Sequence, residues 1–231
     1  MSHYFTNDSI ESNEQIISCK INDISFSFYT DNGVFSKKGL DFGTRTLLEN
    51  LDIENLKGDI LDFGCGYGPI GIYISKIKNI KVDMVDVNLR SISLTKKNAL
   101  LNKVEINAFE SNIYENINKK YDFIISNPPI RVGKKILYEI LFDASKYLKD
   151  DGELWIVINK DQGAKTVLKD LQKKYKVELI NKNKGFYIIK AQNQLTNWNS
   201  FGKIINWLYV LIFISTLFVK IVYGVRKWLI Q

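Results

Sequence analysis

Three short runs of residues place side chains and backbone where they could do chemistry. The first is Asp62-Phe63-Gly64-Cys65-Gly66-Tyr67-Gly68-Pro69. It follows a short apolar run and precedes one with helical spacing, so it reads as a strand, a glycine turn and the start of a helix. Glycine permits the sharp turn and lets the backbone approach a ligand closely. The second is Asp86, the acid that ends the next apolar run. An acid there can accept hydrogen bonds from both hydroxyls of a ribose. Asn88, just beyond it, reads as a helix N-cap. The third is Ser126-Asn127-Pro128-Pro129-Ile130. Two prolines fix the backbone and remove two N–H donors. The Pro128 carbonyl and the Asn127 amide oxygen can then face one cavity as acceptors. Such a pair suits an exocyclic amino group, which offers two N–H donors. Holding both hydrogens orients the nitrogen lone pair toward an electrophile, by positioning and electrostatics and without a histidine base.

Composition narrows the alternatives. His3 is the only histidine in the 231 residues. That argues against a histidine base and against a histidine-ligated metal. Two cysteines, Cys19 and Cys65, are too few for a disulfide framework or a four-cysteine site. No metal is expected. Cys19 reads as a core thiol on a hairpin, and Cys65 as a small spacer in the glycine turn. The first 15 residues are polar, so no secretory signal is expected. The net charge is +7, but Lys203, Lys220, Arg226 and Lys227 put +4 of it in residues 196–231, which hold no acid. Only +3 remains for the rest, which is weak support for a nucleic-acid partner.

The elements that must position these runs alternate. Residues 16–30 read as a β-hairpin turning at Asn22-Asp23. Strands are expected at 57–63, 81–87, 105–109, 121–126 and 153–158, with a closing hairpin at 177–190. Helices are expected at 44–51, 70–77, 89–101, 134–148 and 164–174. Strands alternating with helices imply an open, doubly covered α/β sheet, and the last hairpin makes one edge antiparallel.

Asp62-Phe63-Gly64-Cys65-Gly66-Tyr67-Gly68, Asp86 and Asn127-Pro128-Pro129-Ile130 together resemble the class I S-adenosylmethionine-dependent methyltransferases, and within them the "methyltransferase small" family. Gly33-Val34-Phe35-Ser36 with Leu40-Asp41-Phe42-Gly43-Thr44 resembles its lead-in, and Ile130-Arg131-Val132-Gly133-Lys134 its continuation. The resemblance covers roughly residues 3–192. It implies a Rossmann-like, mostly parallel seven-stranded sheet with an added N-terminal hairpin. It implies S-adenosylmethionine as cofactor, with Asp62, Gly64 and Gly66 around the methionine moiety and Asp62 near its ammonium. Asp86 would take the ribose, and Asn112 the adenine, where relatives often have Asp. Asp41 would close over the cofactor with the lead-in, or simply cap a helix. Asn127 and Pro128 are the expected catalytic residues, and Pro129, Ile130 and Arg131 the expected substrate contacts. Arg131, Lys134 and Lys135 could meet RNA phosphates. Ile130 replaces the aromatic residue common in adenine-N6 and protein-glutamine methyltransferases, which fits the guanine-N2 branch better.

The resulting expectation is a cytoplasmic N-methyltransferase of the guanine N2 group in small-subunit (16S) ribosomal RNA, with the RNA or the ribosomal subunit as partner. One alternative is a membrane-tethered methyltransferase of a protein or small-molecule amine. Another is a non-catalytic scaffold that binds cofactor or RNA. Residues 1–40 form the hairpin and lead-in, 41–192 the methyltransferase domain and 193–203 a linker. Residues 204–231 are expected to form an apolar helix that either spans or embeds in a membrane, being long enough at 204–225 to cross a bilayer, or docks on the globular domain or a partner.

Overall fold

The computed structural model describes residues 10–129 and 132–193. Its element order is β1 (Gln15–Ile21), β2 (Ile24–Thr30), α1 (Phe42–Asn50), β3 (Ile60–Phe63), α2 (Pro69–Lys78), β4 (Val82–Asp86), α3 (Leu89–Asn102), β5 (Ile106–Glu110), β6 (Tyr121–Ser126), α4 (Lys134–Tyr147), β7 (Leu148–Asn159), α5 (Ala164–Leu171), β8 (Tyr175–Asn183) and β9 (Phe186–Asn193). Seven strands form one sheet in the order β5-β4-β3-β6-β7-β9-β8. All pairs are parallel except those of β9 with β7 and β8. The expected architecture is therefore present, with its antiparallel edge. The order reverses between β3 and β6, and ligands bind outside the carboxyl ends of the strands at such a point.

The central strands are short and apolar on both faces because helices cover both. Leu47 and Leu48 of α1, Ile72 and Ile74 of α2 and Ile92 of α3 pack on one face. Leu137, Ile140 and Leu141 of α4 and Val167 and Leu171 of α5 pack on the other. Each such buried aliphatic side chain contributes about 1.5–3 kcal/mol.

The β1–β2 hairpin is a separate two-stranded sheet turning at Asn22 and Asp23, both at positive φ. It lies on α3, whose Asn98 accepts from the Tyr29 N–H at 2.6 Å and donates to the Tyr29 and Tyr67 carbonyls at 2.9 and 2.8 Å. Cys19 sits half-buried at the edge of the adjoining core, as expected of a packed thiol.

Several boundaries differ from the sequence expectation. β3 begins at Ile60 because Gly58 turns at φ +74, with the Asp59 N–H held by the Asp122 carboxylate at 2.7 Å. β7 begins earlier than expected, since Leu148 already pairs with Tyr121. β8 and β9 run to a two-residue turn at Lys184-Gly185, both at positive φ. Among the described residues no helix is long and apolar enough to cross a membrane. The apolar segment expected at 204–225 and residues 194–203 of the expected linker lie outside the described residues, while Asn193, expected to open that linker, ends β9.

Candidate active site

The glycine turn leaves β3 at the switch point and is tied to its neighbour strand. The N–H groups of Gly64 and Cys65 both donate to the Val85 carbonyl, at 2.8 and 2.9 Å. Gly64 and Gly66 have φ of +70 and +57, a region that disfavours any residue with a β-carbon. A β-carbon on Gly66 would meet nothing within 4 Å, and one on Gly64 only Pro129 Cδ at 3.9 Å. Open space thus lies beside the turn, where a ligand can approach the backbone.

Two carboxylates face this turn. Asp62 is fully buried. Its Oδ2 accepts from the Gly71 N–H in the first turn of α2 at 2.8 Å, and its Oδ1 has no hydrogen-bond partner. Burial pushes its pKa up to about 7, the Gly71 N–H opposes this, and the charge of Asp86 adds to the rise. A buried acceptor without a partner costs about 1–3 kcal/mol, and a cationic group on a ligand would satisfy it. Asp86 is held at both oxygens: Oδ2 accepts from the Gly66 N–H and Oδ1 from the Asn88 N–H, each at 2.9 Å. The Val87 N–H donates to this carboxylate as well, so of its roughly four acceptor sites about one is left for a ribose hydroxyl. Burial raises the Asp86 pKa as well, against the N–H donors that lower it. Asn88 caps α3 as expected, accepting from the Arg90 N–H at 2.9 Å, and its Nδ2 donates to the Gly33 carbonyl at 3.0 Å. That bond brings the lead-in segment alongside Asp86.

Asn112 lies just past β5, exposed, and the Ser111 N–H before it donates to the Asp86 carbonyl at 3.1 Å. That bond places Asn112 next to the end of β4 that carries Asp86. Cys65 is buried, with its Sγ 3.6 Å from Thr95 Oγ1, and burial holds the thiol well above its usual pKa. It is a packed spacer and no nucleophile.

The acceptor loop follows β6, next to β3. Ser126 Oγ donates to the Phe63 carbonyl at 2.7 Å, joining the two strand ends. Asn127 Nδ2 donates to Asp41 Oδ2 at 3.1 Å and to Thr44 Oγ1 at 2.9 Å. Both amide hydrogens are thereby used, and the amide orientation is fixed with Oδ1 as the open acceptor. Asp41 Oδ2 also accepts from the Thr44 N–H at 2.9 Å, which makes Asp41 the N-cap of α1. Asp41, expected either to close over the cofactor or to cap a helix, caps α1 and also holds Asn127. Pro128 is buried, Pro129 half-buried, and Ile130 and Arg131 lie outside the described residues. The contact of Thr44 with Asn127 is one that sequence reasoning does not anticipate. Its only signal was an Asp-x-x-Thr start to a helix, which reads as a cap alone.

Fold and site together define a class I S-adenosylmethionine-dependent methyltransferase domain. The chain belongs to the methyltransferase small domain family, whose model matches residues 25–190. Among relatives, it is 41% identical over 196 residues to the uncharacterized protein YbxB of Bacillus subtilis, covering 82% of this chain and 98% of that one. It is 37% identical over 145 residues to the ribosomal RNA small subunit methyltransferase C of Psychromonas ingrahamii, covering 61% of this chain and 41% of that protein. The chain thus spans about two fifths of that methyltransferase. A solved T. thermophilus 16S rRNA N2 methyltransferase, in complex with AdoMet and guanosine, shares the fold. Its TM-score is 0.71 at 23% identity, over 81% of this chain and 52% of that one.

Proposed function

We propose that this chain methylates the guanine N2 amino group in small-subunit ribosomal RNA. The observation that carries this reading is the amide of Asn127, whose two hydrogens are engaged by Asp41 and Thr44 so that Oδ1 is presented as an acceptor. The similarity to ribosomal RNA small subunit methyltransferases supports the choice of substrate.

The residues present fit S-adenosylmethionine. The partnerless Oδ1 of Asp62 suits its ammonium, the space beside Gly64 and Gly66 suits its methionine backbone, and the remaining acceptor capacity of Asp86 suits a hydroxyl of its ribose. When bound, the cofactor supplies an electrophilic methyl group on a sulfonium. Asn127 Oδ1 and the Pro128 carbonyl accept the two hydrogens of the amino nitrogen and turn its lone pair toward that methyl. Such positioning supplies much of the barrier reduction for a transfer between two oriented partners. The amino group loses its proton to solvent after the nitrogen has become cationic, so no strong base is needed.

Tritiated-methyl transfer to an unmodified small-subunit rRNA or to subunits lacking the modification tests this reading. Label in RNA as N2-methylguanosine supports it. No label in RNA, with cofactor binding intact, would exclude it in favour of another amine.

A further inference from the structure

The acceptor loop divides the carboxyl edge of the sheet into two halves of unlike charge. On the β3–β4–β5 side stand Asp62 and Asp86, the proposed cofactor acids. On the β7–β9–β8 side stand three lysines distant in sequence. Lys160 follows β7 directly, Lys182 lies near the end of β8 and Lys184 opens the β8–β9 turn. Register brings them together, because Asn159 and Asn183 are both paired with Phe186. The Lys160 N–H donates to the Gly185 carbonyl at 2.7 Å. Gly185 has φ +87, and the Lys160 stem lies 3.2 Å from where its β-carbon would stand. The turn and the lysine are therefore packed against each other.

This cluster reaches the acceptor site through α1. Lys184 Nζ lies 5.2 Å from the Phe42 ring centroid, and Phe42 packs on Phe186 at 5.5 Å between centroids. Phe42 directly follows Asp41, the residue that holds Asn127. All three lysines are exposed, and none forms an ion pair among the described residues. The carboxylates of this region are Asp41, engaged with Asn127 and Thr44, and Asp161, exposed beside Lys160. The opposite, amino edge is built differently. There Lys119 and Lys149 are bound to Asp59, Asp83 and Asp122 at 2.7–3.0 Å.

With the cofactor on the β3–β4–β5 half and the target nitrogen at Asn127, the rest of a polymeric substrate must leave across the other half. We propose that Lys160, Lys182 and Lys184, around the β8–β9 turn, hold the phosphates of the RNA strand that flanks the target base. This rests on the RNA reading above. Lysines on flexible stems suit that task, because they attract phosphate as point charges without reading sequence.

The test compares three full-length proteins: wild type, Lys160→Ala/Lys182→Ala/Lys184→Ala, and a charge-matched control, Lys57→Ala/Lys81→Ala/Lys120→Ala, whose exposed lysines lie toward the amino edge. The probe is an unmodified transcript of small-subunit rRNA, bound by filter assay over a salt series. The first variant should bind on the order of tenfold more weakly, with its log Kd against log salt slope reduced by about two, since three lost single-strand phosphate contacts remove about 0.7 each. Its cofactor Kd and its kcat at saturating RNA should match wild type, and the control should bind as wild type does. Equal weakening in both variants would assign the effect to net charge and overturn the proposal. So would unchanged binding in the first variant. If wild type neither binds nor methylates the transcript or unmodified small subunits, both the RNA reading and this surface fail; if wild type acts and the lysine variant binds RNA as tightly as wild type, the surface alone fails.

Discussion

Asp41 and Asn127, 86 residues apart in the chain, share a hydrogen bond of 3.1 Å that fixes which end of the Asn127 amide faces the cleft. Thr44 takes the second amide hydrogen at 2.9 Å. The first turn of α1 therefore sets the polarity of the acceptor loop after β6. An amide turned the other way would present donors to an amino group that itself only donates.

Asn127→Ala removes the acceptor and leaves the glycine turn and Asp86 untouched. We expect unchanged cofactor affinity by calorimetry and a kcat lower on the order of 10²–10³-fold, the usual loss for one oriented hydrogen-bonding group in a transition state. Wild-type turnover in this variant would remove Asn127 from the chemistry.

Asp41→Ala and Thr44→Val each free one amide hydrogen, so the Asn127 side chain can turn. Each should lower kcat about tenfold with little change in cofactor KM, and the double variant should lose less than the product of the two, because both act on one group. Asp41→Ala also removes the cap of α1 and should cost about 1 kcal/mol of stability by thermal melting. Thr44→Ser keeps the hydroxyl and should restore turnover. Fully multiplicative losses would mean that the two residues act separately.

Burial pushes the Asp62 carboxyl up to about 7, while in the unfolded chain it titrates near 3.9. Between those values the folded chain holds a proton that the unfolded chain has lost. The contribution of Asp62 to stability therefore falls as pH rises from about 4 to about 7 and stays low above. Cofactor-free Asp62→Asn should melt higher than wild type at pH 8 and alike at pH 4. If an ammonium docks at Asp62, cofactor binding at pH 6 also releases a proton, read by calorimetry in buffers of different ionisation heat. A stability difference independent of pH would contradict the assignment.

Gly66→Ala separates ligand space from folding. At φ +57 alanine should cost about 1–2 kcal/mol, yet its methyl meets no protein atom within 4 Å. The variant should fold with a lowered Tm and lose cofactor binding at least a hundredfold. Retained binding would show that the space beside the turn is not the cofactor's.

The parts of this site legible in the sequence are those whose chemistry is local. The glycine turn, Asp86 at a strand end, Asn88 as a cap and Asn127-Pro128-Pro129 each lie in a few consecutive residues, and their backbone demands show in residue type. The alternation of elements gave the sheet for the same reason. The Asp41–Thr44–Asn127 contact was not legible, because Asp41 and Thr44 read equally well as a helix cap and nothing local names a partner across the sheet. The seat of the hairpin on Asn98 of α3 and the meeting of Lys160 with Lys184 depend on tertiary register in the same way. The start of β3 is not legible either, because it depends on Asp122, 63 residues away, holding the Asp59 N–H.

The most direct test of the central claim is mass-spectrometric identification of the methylated nucleoside after reaction of wild type and Asn127→Ala with unmodified small-subunit rRNA. The account predicts N2-methylguanosine at one position with wild type and none with the variant, while both bind the cofactor alike. Methyl groups on another nucleoside, on protein alone, or in equal amount with the variant would contradict it.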